Sequence, residues 1–288
     1  MLIAARRAGR ERVLTAPLTR RVAGLARRMR ADAVLVIKGR FLLREDVEAL
    51  RRNLQVPIAV YYPDDPLFSA YAETEWTDAI PAYDLTVTWS NGPARRLRGA
   101  GARRVAVIPF GYDPDLYPAR PPGIGFRYDV VFVGQWQAVR QEFLVELAHL
   151  NVGIAGSGWA QRVAGTPLER RVIRGRHFGR EVANLYHRSR AALNIVNPQN
   201  LDNHNMRTWE LPATRTAMVA TRTPDHERMF GDSKALLVAD PTELRRGVEA
   251  LLADERLRED IATGGREAVV HGTYGARAKE IAACLERL

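Results

Sequence analysis

Residues 201–213 read Leu-Asp-Asn-His-Asn-Met-Arg-Thr-Trp-Glu-Leu-Pro-Ala, which sets Asp202 and Glu210 eight residues apart with Asn205 and Arg207 between them. One loop therefore offers a carboxylate, an amide, a guanidinium and a second carboxylate. That set suits a ligand bearing both hydroxyls and phosphates, because guanidinium pairs with phosphate and carboxylate accepts from hydroxyl. An apolar run at 191–196 precedes the loop and another at 217–220 follows it. Strand, polar loop, short helix and strand then form one α/β unit. In open α/β sheets ligands bind at the carboxyl ends of the strands, where loop side chains and helix N-termini converge.

A second group of residues has related chemistry. The run Asp129-Val-Val-Phe-Val133 reads as a strand, ends in Gly134 and is followed by Arg140 in the first turn of a helix. Glycine at a strand end lets a ligand approach the backbone, and Arg140 would face a bound anion. A charge-assisted hydrogen bond to phosphate contributes ~1.5–3 kcal/mol and the helix end ~0.3–1 kcal/mol. The alternative also stands: Gly134 only turns the chain, and Arg140 pairs with Glu142 or solvent. The glycines at 153, 156 and 158 do not follow the dinucleotide-binding spacing and are read as a tight strand-to-helix turn. Asp64 and Asp65 could hold a cation or act as a base, but adjacent carboxylates diverge and Asp-Pro starts turns, so the turn is favoured. His177 reads as an ordinary surface or half-buried histidine. His149, His187, His204, His226 and His271 show no pairing at ligand spacing, and Cys284 is the lone cysteine. No metal site, disulfide or cofactor is expected.

The elements that must position these groups alternate along the chain. Strands are expected at 33–37, 57–61, 85–88 and 105–108, with helices at 18–30, 45–53 and 93–99. Prolines and glycines crowd residues 114–125, a linker composition. Strands at 129–133, 152–155, 192–196, 217–220 and 235–238 follow, then helices at 242–253, 257–271 and 275–288. The expected domains are 1–119, 120–274 and a C-terminal helix, 275–288, that packs back on the first. The fold class is α/β with two Rossmann-like domains joined near residue 120.

The chain has 288 residues, 46% of them hydrophobic and 26% charged, which describes a globular protein. No apolar run approaches the ~18 residues needed to cross a bilayer, and no signal-peptide core opens the chain, so a cytoplasmic location is expected. The net charge of +10 raises the question of nucleic acid. All basic residues are arginine except Lys38, Lys234 and Lys279, and nine arginines with one acid, Glu11, fill residues 1–30. No aromatic residues interleave with them, so a stacking platform for single strands is absent. Leu18, Val22, Leu25 and Met29 recur at helical spacing, which favours a packed helix with a solvated basic face over nucleic-acid binding. Peripheral contact with anionic lipid stays open through the same arginines.

Several stretches together resemble the CgeB-like glycosyltransferases, which belong to the GT-B superfamily and are related to the group 1 transferases. These are Asp129-Val-Val-Phe-Val-Gly134 with Arg140, Asn205-Met-Arg-Thr-Trp-Glu210-Leu-Pro-Ala213 and Thr223-Pro-Asp-His-Glu-Arg-Met-Phe230. Tyr62-Pro-Asp-Asp65-Pro66 and Pro109-Phe-Gly-Tyr-Asp113 resemble the family's first domain. The resemblance implies two domains facing across a cleft, the second holding a nucleotide-diphosphate sugar and the first an acceptor, without metal and with retention of configuration. It assigns Asp202 to the donor sugar and Glu210 to the ribose hydroxyls. Arg140, Arg207 and the loop amides near Asn205 would neutralise the diphosphate leaving group, with Gly134 beside them. Asp202 is a methylene shorter than the glutamate usual there. Arg215 stands where relatives turn the helix end with glycine. The relatives also open with a β-strand and glycine-rich loop that touches the acceptor, whereas this chain opens with an arginine-rich helix pattern. The first domain is therefore expected to lack its first βα unit, and an unpaired sheet edge there would invite a homo-oligomer. The rival expectation is a catalytically inactive nucleotide-sugar-binding or scaffold protein.

Overall fold

Short β-branched runs pair side by side when amphipathic crossover helices can cover both faces, and two parallel sheets result. The computed structural model describes residues 11–39, 42–68, 77–197, 202–231 and 233–288. It divides into two compact units, Met1–Pro109 with Ala278–Leu288, and Phe110–Arg277.

In the first unit β1 (Val34–Ile37), β2 (Ile58–Tyr62), β3 (Leu85–Thr88) and β4 (Val105–Val107) lie in sequence order, all parallel. Helix α1 (Glu11–Met29) precedes β1, α2 (Arg44–Leu54) joins β1 to β2, and α3 (Asn91–Gly99) joins β3 to β4. Val47, Leu50, Ile58, Val60, Tyr83 and Leu97 fill the core. Helix α1 packs differently from its apolar spacing. Thr19, Ala23 and Ala26 are buried, while Leu18, Leu25 and Met29 are 43%, 49% and 69% exposed. The small residues pack within this unit, and Thr19 donates to the Asp46 carboxylate at 3.1 Å. Arg20, Arg21, Arg27 and Arg28 lie on exposed positions, as a solvated face requires. Asp65 is fully buried, accepts from Leu67 N at 3.0 Å and from Arg96 Nε at 2.7 Å, and so anchors a turn. Asp64 pairs instead with Lys38, so the two carboxylates serve separate partners.

The second unit holds six parallel strands: β5 (Tyr128–Val133), β6 (Val152–Ala155), β7 (Val172–Ile173), β8 (Ser189–Asn194), β9 (Ala217–Thr221) and β10 (Leu236–Val238). Their order is β10-β9-β8-β5-β6-β7. From β5 the chain proceeds outward through β6 and β7, then returns to lay β8 on the other side of β5. The reversal between β5 and β8 is a topological switch point, where the first crossovers on either side leave a crevice at the strand carboxyl ends. Helices α4 (Ala138–Val145), α5 (Trp159–Arg162), α6 (Arg180–His187), α7 (Arg207–Ala213), α8 (Pro224–Phe230), α9 (Pro241–Ala253) and α10 (Glu255–Val269) connect the strands or follow them. The core runs through Val130, Phe132, Leu144, Ile154, Trp159, Leu193, Val219 and Val248.

The division between units falls at Pro109 and Phe110, ahead of the proline-rich segment. Residues past it are tied into the second unit: Tyr112 N donates to Gly272 O at 3.1 Å, and Arg120 N to Thr214 O at 2.9 Å. The final helix, α11 (Tyr274–Leu285), carries Ile281, Cys284 and Leu285, which with Leu288 pack on Ala59, Leu85, Val87 and Ile108 of the first unit. Arg215 does adopt the left-handed conformation that glycine takes more easily, with φ 56°. This costs about 1–2 kcal/mol. Its guanidinium lies 3.4 Å from Glu259.

Two glycines bring the loops after β5 and β6 together. Gly156, with φ 141°, sits against the carbonyl of Gly134, and that carbonyl accepts from Trp159 Nε1 at 2.8 Å. A Cβ at residue 156 would overlap the Gly134 carbonyl and occupy a backbone region closed to L side chains. Gly156→Ala is expected to lower stability by about 2 kcal/mol or more, read as a fall in thermal midpoint by calorimetry. An unchanged midpoint would contradict the close stacking of the two loops.

Candidate functional site

Residues that the switch point gathers at the carboxyl ends of β5 and β8 include most of those singled out by sequence. Gly134 caps β5, its amide donating to Ala155 O at 2.9 Å. Arg140, in the first turn of α4, folds back over the loop: Nη1 donates to Gln135 O at 2.8 Å and Nε to Ile195 O at 3.1 Å. Strand β8 ends at Asn194 rather than at 196, and this frees the Ile195 carbonyl to receive Arg140. Arg140 has no carboxylate partner among the described residues. Burial, and then the neighbouring Arg207 charge, push its pKa down to about 10.

Arg207 opens α7, with Nε 3.4 Å from Val133 O and Nη1 paired with the Glu210 carboxylate one turn on. Burial opposes its charge, but Tyr186, Glu210 and Tyr117 outweigh that and hold its pKa above the usual arginine value. Glu210 is buried. The Tyr117 hydroxyl lies within hydrogen-bond reach of it, and burial followed by the Glu210 charge raises the Tyr117 pKa, so this phenol stays protonated. Tyr186 is fully buried nearby, its hydroxyl without a partner among the described residues, and burial raises its pKa too.

Asn205 is brought to the same loop but is engaged within it. Its Nδ2 donates to Asn194 Oδ1 at 2.9 Å, its Oδ1 accepts from Thr208 N at 3.3 Å, and its own amide donates to Thr208 Oγ1 at 3.3 Å. Asp202 stands apart, exposed at a turn, with no ion pair or hydrogen bond among the described residues.

Sequence spacing did not reveal what lies beneath this loop. His226, fully buried, has Nε2 2.9 Å from Thr208 Oγ1 and Nδ1 2.7 Å from Thr221 O. Asn194 Nδ2 donates to the same Thr208 hydroxyl at 3.0 Å. His204 Nδ1 meets the Asp225 carboxylate at 2.6 Å, both side chains 2% exposed, and Asp225 also pairs with Arg228. Residues distant in sequence meet here because α8, N-capped by Thr223, carries Asp225 and His226 in its first turn; the resemblance singles out the run 223–230 but assigns these side chains no role. Tyr117 was passed over because it lies in a segment read as linker. His177 is half-buried on the Arg174 carbonyl at 3.2 Å. No helix among the described residues is long and apolar enough to cross a membrane.

Residues 140–283 match the family model described as glycosyl transferase-like. Sucrose-phosphate synthase from Thermosynechococcus elongatus superposes with a TM-score of 0.71 at 16% identity, covering 94% of this chain and 77% of that one. The Anabaena protein HepE, solved in complex with UDP-glucose, gives 0.72 at 16% identity over 94% of this chain and 82% of its own. The lipopolysaccharide outer core galactosyltransferase WaaB gives 0.61 at 14% identity over 95% and 80%. These likenesses establish an α/β fold of the GT-B type. No curated protein matches the sequence.

The buried histidine makes stability depend on pH. Burial, first, lowers the His226 pKa to about 4, with the backbone bond to Thr221 opposing and His204 adding. A folded-state pKa below the unfolded value of about 6.5 means that the unfolded chain binds the proton more readily. The stabilisation is therefore complete above about pH 6.5 and is lost as pH falls toward 4. Calorimetric melts at about pH 4.5 should show a loss of about 2–3 kcal/mol relative to pH 7.5 from this group. His226→Gln should be less stable at neutral pH and show a shallower fall on acidification; an equally steep fall would contradict the assignment.

Proposed function

The chain belongs to the glycosyl transferase-like family, and on that premise we propose that it moves a sugar from a nucleotide-diphosphate sugar, a UDP-sugar in the first instance, to an acceptor. The observation that carries the reading is Arg140, a guanidinium held by two backbone carbonyls, with a pKa of about 10 and no carboxylate partner among the described residues. A positive charge fixed by dipoles and left electrostatically unanswered is a place for an anion. Arg207 adds a second guanidinium beside it. Breaking the glycosidic bond leaves the electron pair on the diphosphate oxygen, and donors already in position stabilise that charge without reorganising. Two guanidiniums supply the positive charge for which many transferases recruit a cation.

Glu210 accepts from the ribose hydroxyls, and Tyr117 and Arg207 orient its carboxylate. Asn205 serves as a positioning residue that shapes the loop through Asn194 and Thr208. Asp202, exposed and unencumbered, is the group that faces the donor sugar. The CgeB-like resemblance extends to retention of configuration; action in the cytoplasm rests on the apolar pattern of the sequence alone. Support from solved structures is limited to fold: HepE carries UDP-glucose, and this chain shares its architecture.

Calorimetry with UDP tests the donor site. Arg140→Ala should weaken affinity tenfold or more, since a charge-assisted contact is worth about 1.5–3 kcal/mol. Glu210→Gln keeps the volume, spares Arg207 a vacant neighbour and should weaken UDP binding less severely. Affinity unchanged in both variants would refute the assignment. Release of UDP from UDP-glucose by the wild-type chain separates a working transferase from an inactive binding protein.

A further inference from the structure

Beside the amino ends of β5 and β6, and along the short strand β7, four arginines face one concavity. A cavity of about 410 Å³ is lined by Arg127, Tyr128, Asn151, Arg170, Arg171 and Arg174, among others. They come from separate stretches: Arg127 lies just before β5, Asn151 before β6, Arg170 and Arg171 in a 3-10 turn before β7, and Arg174 just after it. None of the four arginines has a carboxylate partner among the described residues. The acids near them are occupied: Asp129 accepts from Asn151 N at 3.0 Å and lies 3.8 Å from Arg190, and Glu169 accepts from Gly165 N at 2.9 Å.

A solvated arginine surface spreads like charges apart. Here they line a hollow, where low-dielectric walls concentrate the field. Two of them are also fixed in place. Arg171 donates to Ala148 O at 3.2 Å, and the Arg127 guanidinium lies over the Tyr128 ring at 5.3 Å from its centre. The volume falls within the range of small-molecule sites, about 300–1,000 Å³. Guanidinium groups match phosphate oxygens in planar, bidentate pairs, and a dianion answers more of this charge than a single carboxylate does.

We propose that this pocket is a second anion site, taking a phosphomonoester or diphosphate group, distinct from the donor site at the carboxyl ends of β5 and β8. Strand β5 separates the two, beginning at Tyr128 beside the pocket and ending at Val133 before Gly134. At about 3.3 Å per residue the length of β5 sets Tyr128 about 20 Å from Gly134. A soluble metabolite and a lipid headgroup both offer such a phosphate, and the chemistry of recognition is the same.

The test titrates the full chain with sodium pyrophosphate by calorimetry, and separately with vesicles of phosphatidic acid in phosphatidylcholine. Wild type, Arg170→Ala/Arg174→Ala and Arg140→Ala are compared, with circular dichroism to confirm folding. Both changed arginines of the double variant are exposed, so it should fold as wild type does. Pyrophosphate affinity at least tenfold weaker in the double variant, and retained in Arg140→Ala, supports the pocket with a soluble ligand. Vesicle binding alone, lost in the double variant, supports it with a lipid source. No binding to either probe overturns the proposal, as does binding that the double variant leaves intact or that only Arg140→Ala removes. Because no nucleotide is added, these outcomes are independent of whether UDP binds.

Discussion

Two guanidinium groups in the second unit lie close enough to feel each other's charge, and a single buried carboxylate answers one of them. Arg207 depresses the Arg140 pKa, while Glu210 pairs with Arg207 alone. Like charges repel most where water is scarce, so the arrangement persists only if each group is held by something else. Backbone oxygens do this: Gln135 and Ile195 hold Arg140, and Val133 lies behind Arg207. Carbonyl dipoles fix direction without cancelling net charge. A residual positive potential is thereby built into the end of β5, and the rest of the unit serves to keep the two arginines in register.

That support is a connected set of buried polar groups. Asn205, Asn194, Thr208, His226 and Thr221 form successive hydrogen bonds that join the loop, β8, α7, α8 and β9. A network of this kind tolerates few alternative arrangements, because each member left unpaired costs about 1–3 kcal/mol. The His204–Asp225 contact ties the same loop to α8 a second time. Position in the loop is thus set by hydrogen-bond geometry beneath it rather than by apolar packing alone.

Much of this could be read in the residues before the fold was known, and the parts that could not have physical reasons. The strands of both sheets stand within a few residues of their expected limits because buried parallel strands are short, nearly continuous apolar runs. Strand β7 escaped notice because two residues carry no periodicity. The face of α1 was misjudged because Thr19, Ala23 and Ala26 are less hydrophobic than Leu18, Leu25 and Met29. Their packing reflects close contact permitted by small side chains, which a hydrophobicity pattern does not register. Arg140, Arg207 and Glu210 were legible as a group because one loop and one strand end supply them. Asn205 was legible as a member of the same loop, but its internal bonds to Asn194 and Thr208 were not. The His226 and His204 contacts depend on partners across a strand and a helix, and sequence spacing says nothing of those. Tyr117 illustrates the limit of composition, since proline-rich surroundings concealed a residue that reaches Glu210.

Residues 278–288 belong to the first unit, although the whole of the second is translated before them. Ile281, Cys284, Leu285 and Leu288 supply part of the apolar cover for β2 and β3. As the polypeptide leaves the ribosome, therefore, the segment before residue 110 waits with that cover missing while residues 110–277, continuous in sequence, can condense on their own. Synthesis order and completion order are reversed, and nascent-chain partners have a longer interval in which to meet the N-terminal sheet than the C-terminal one.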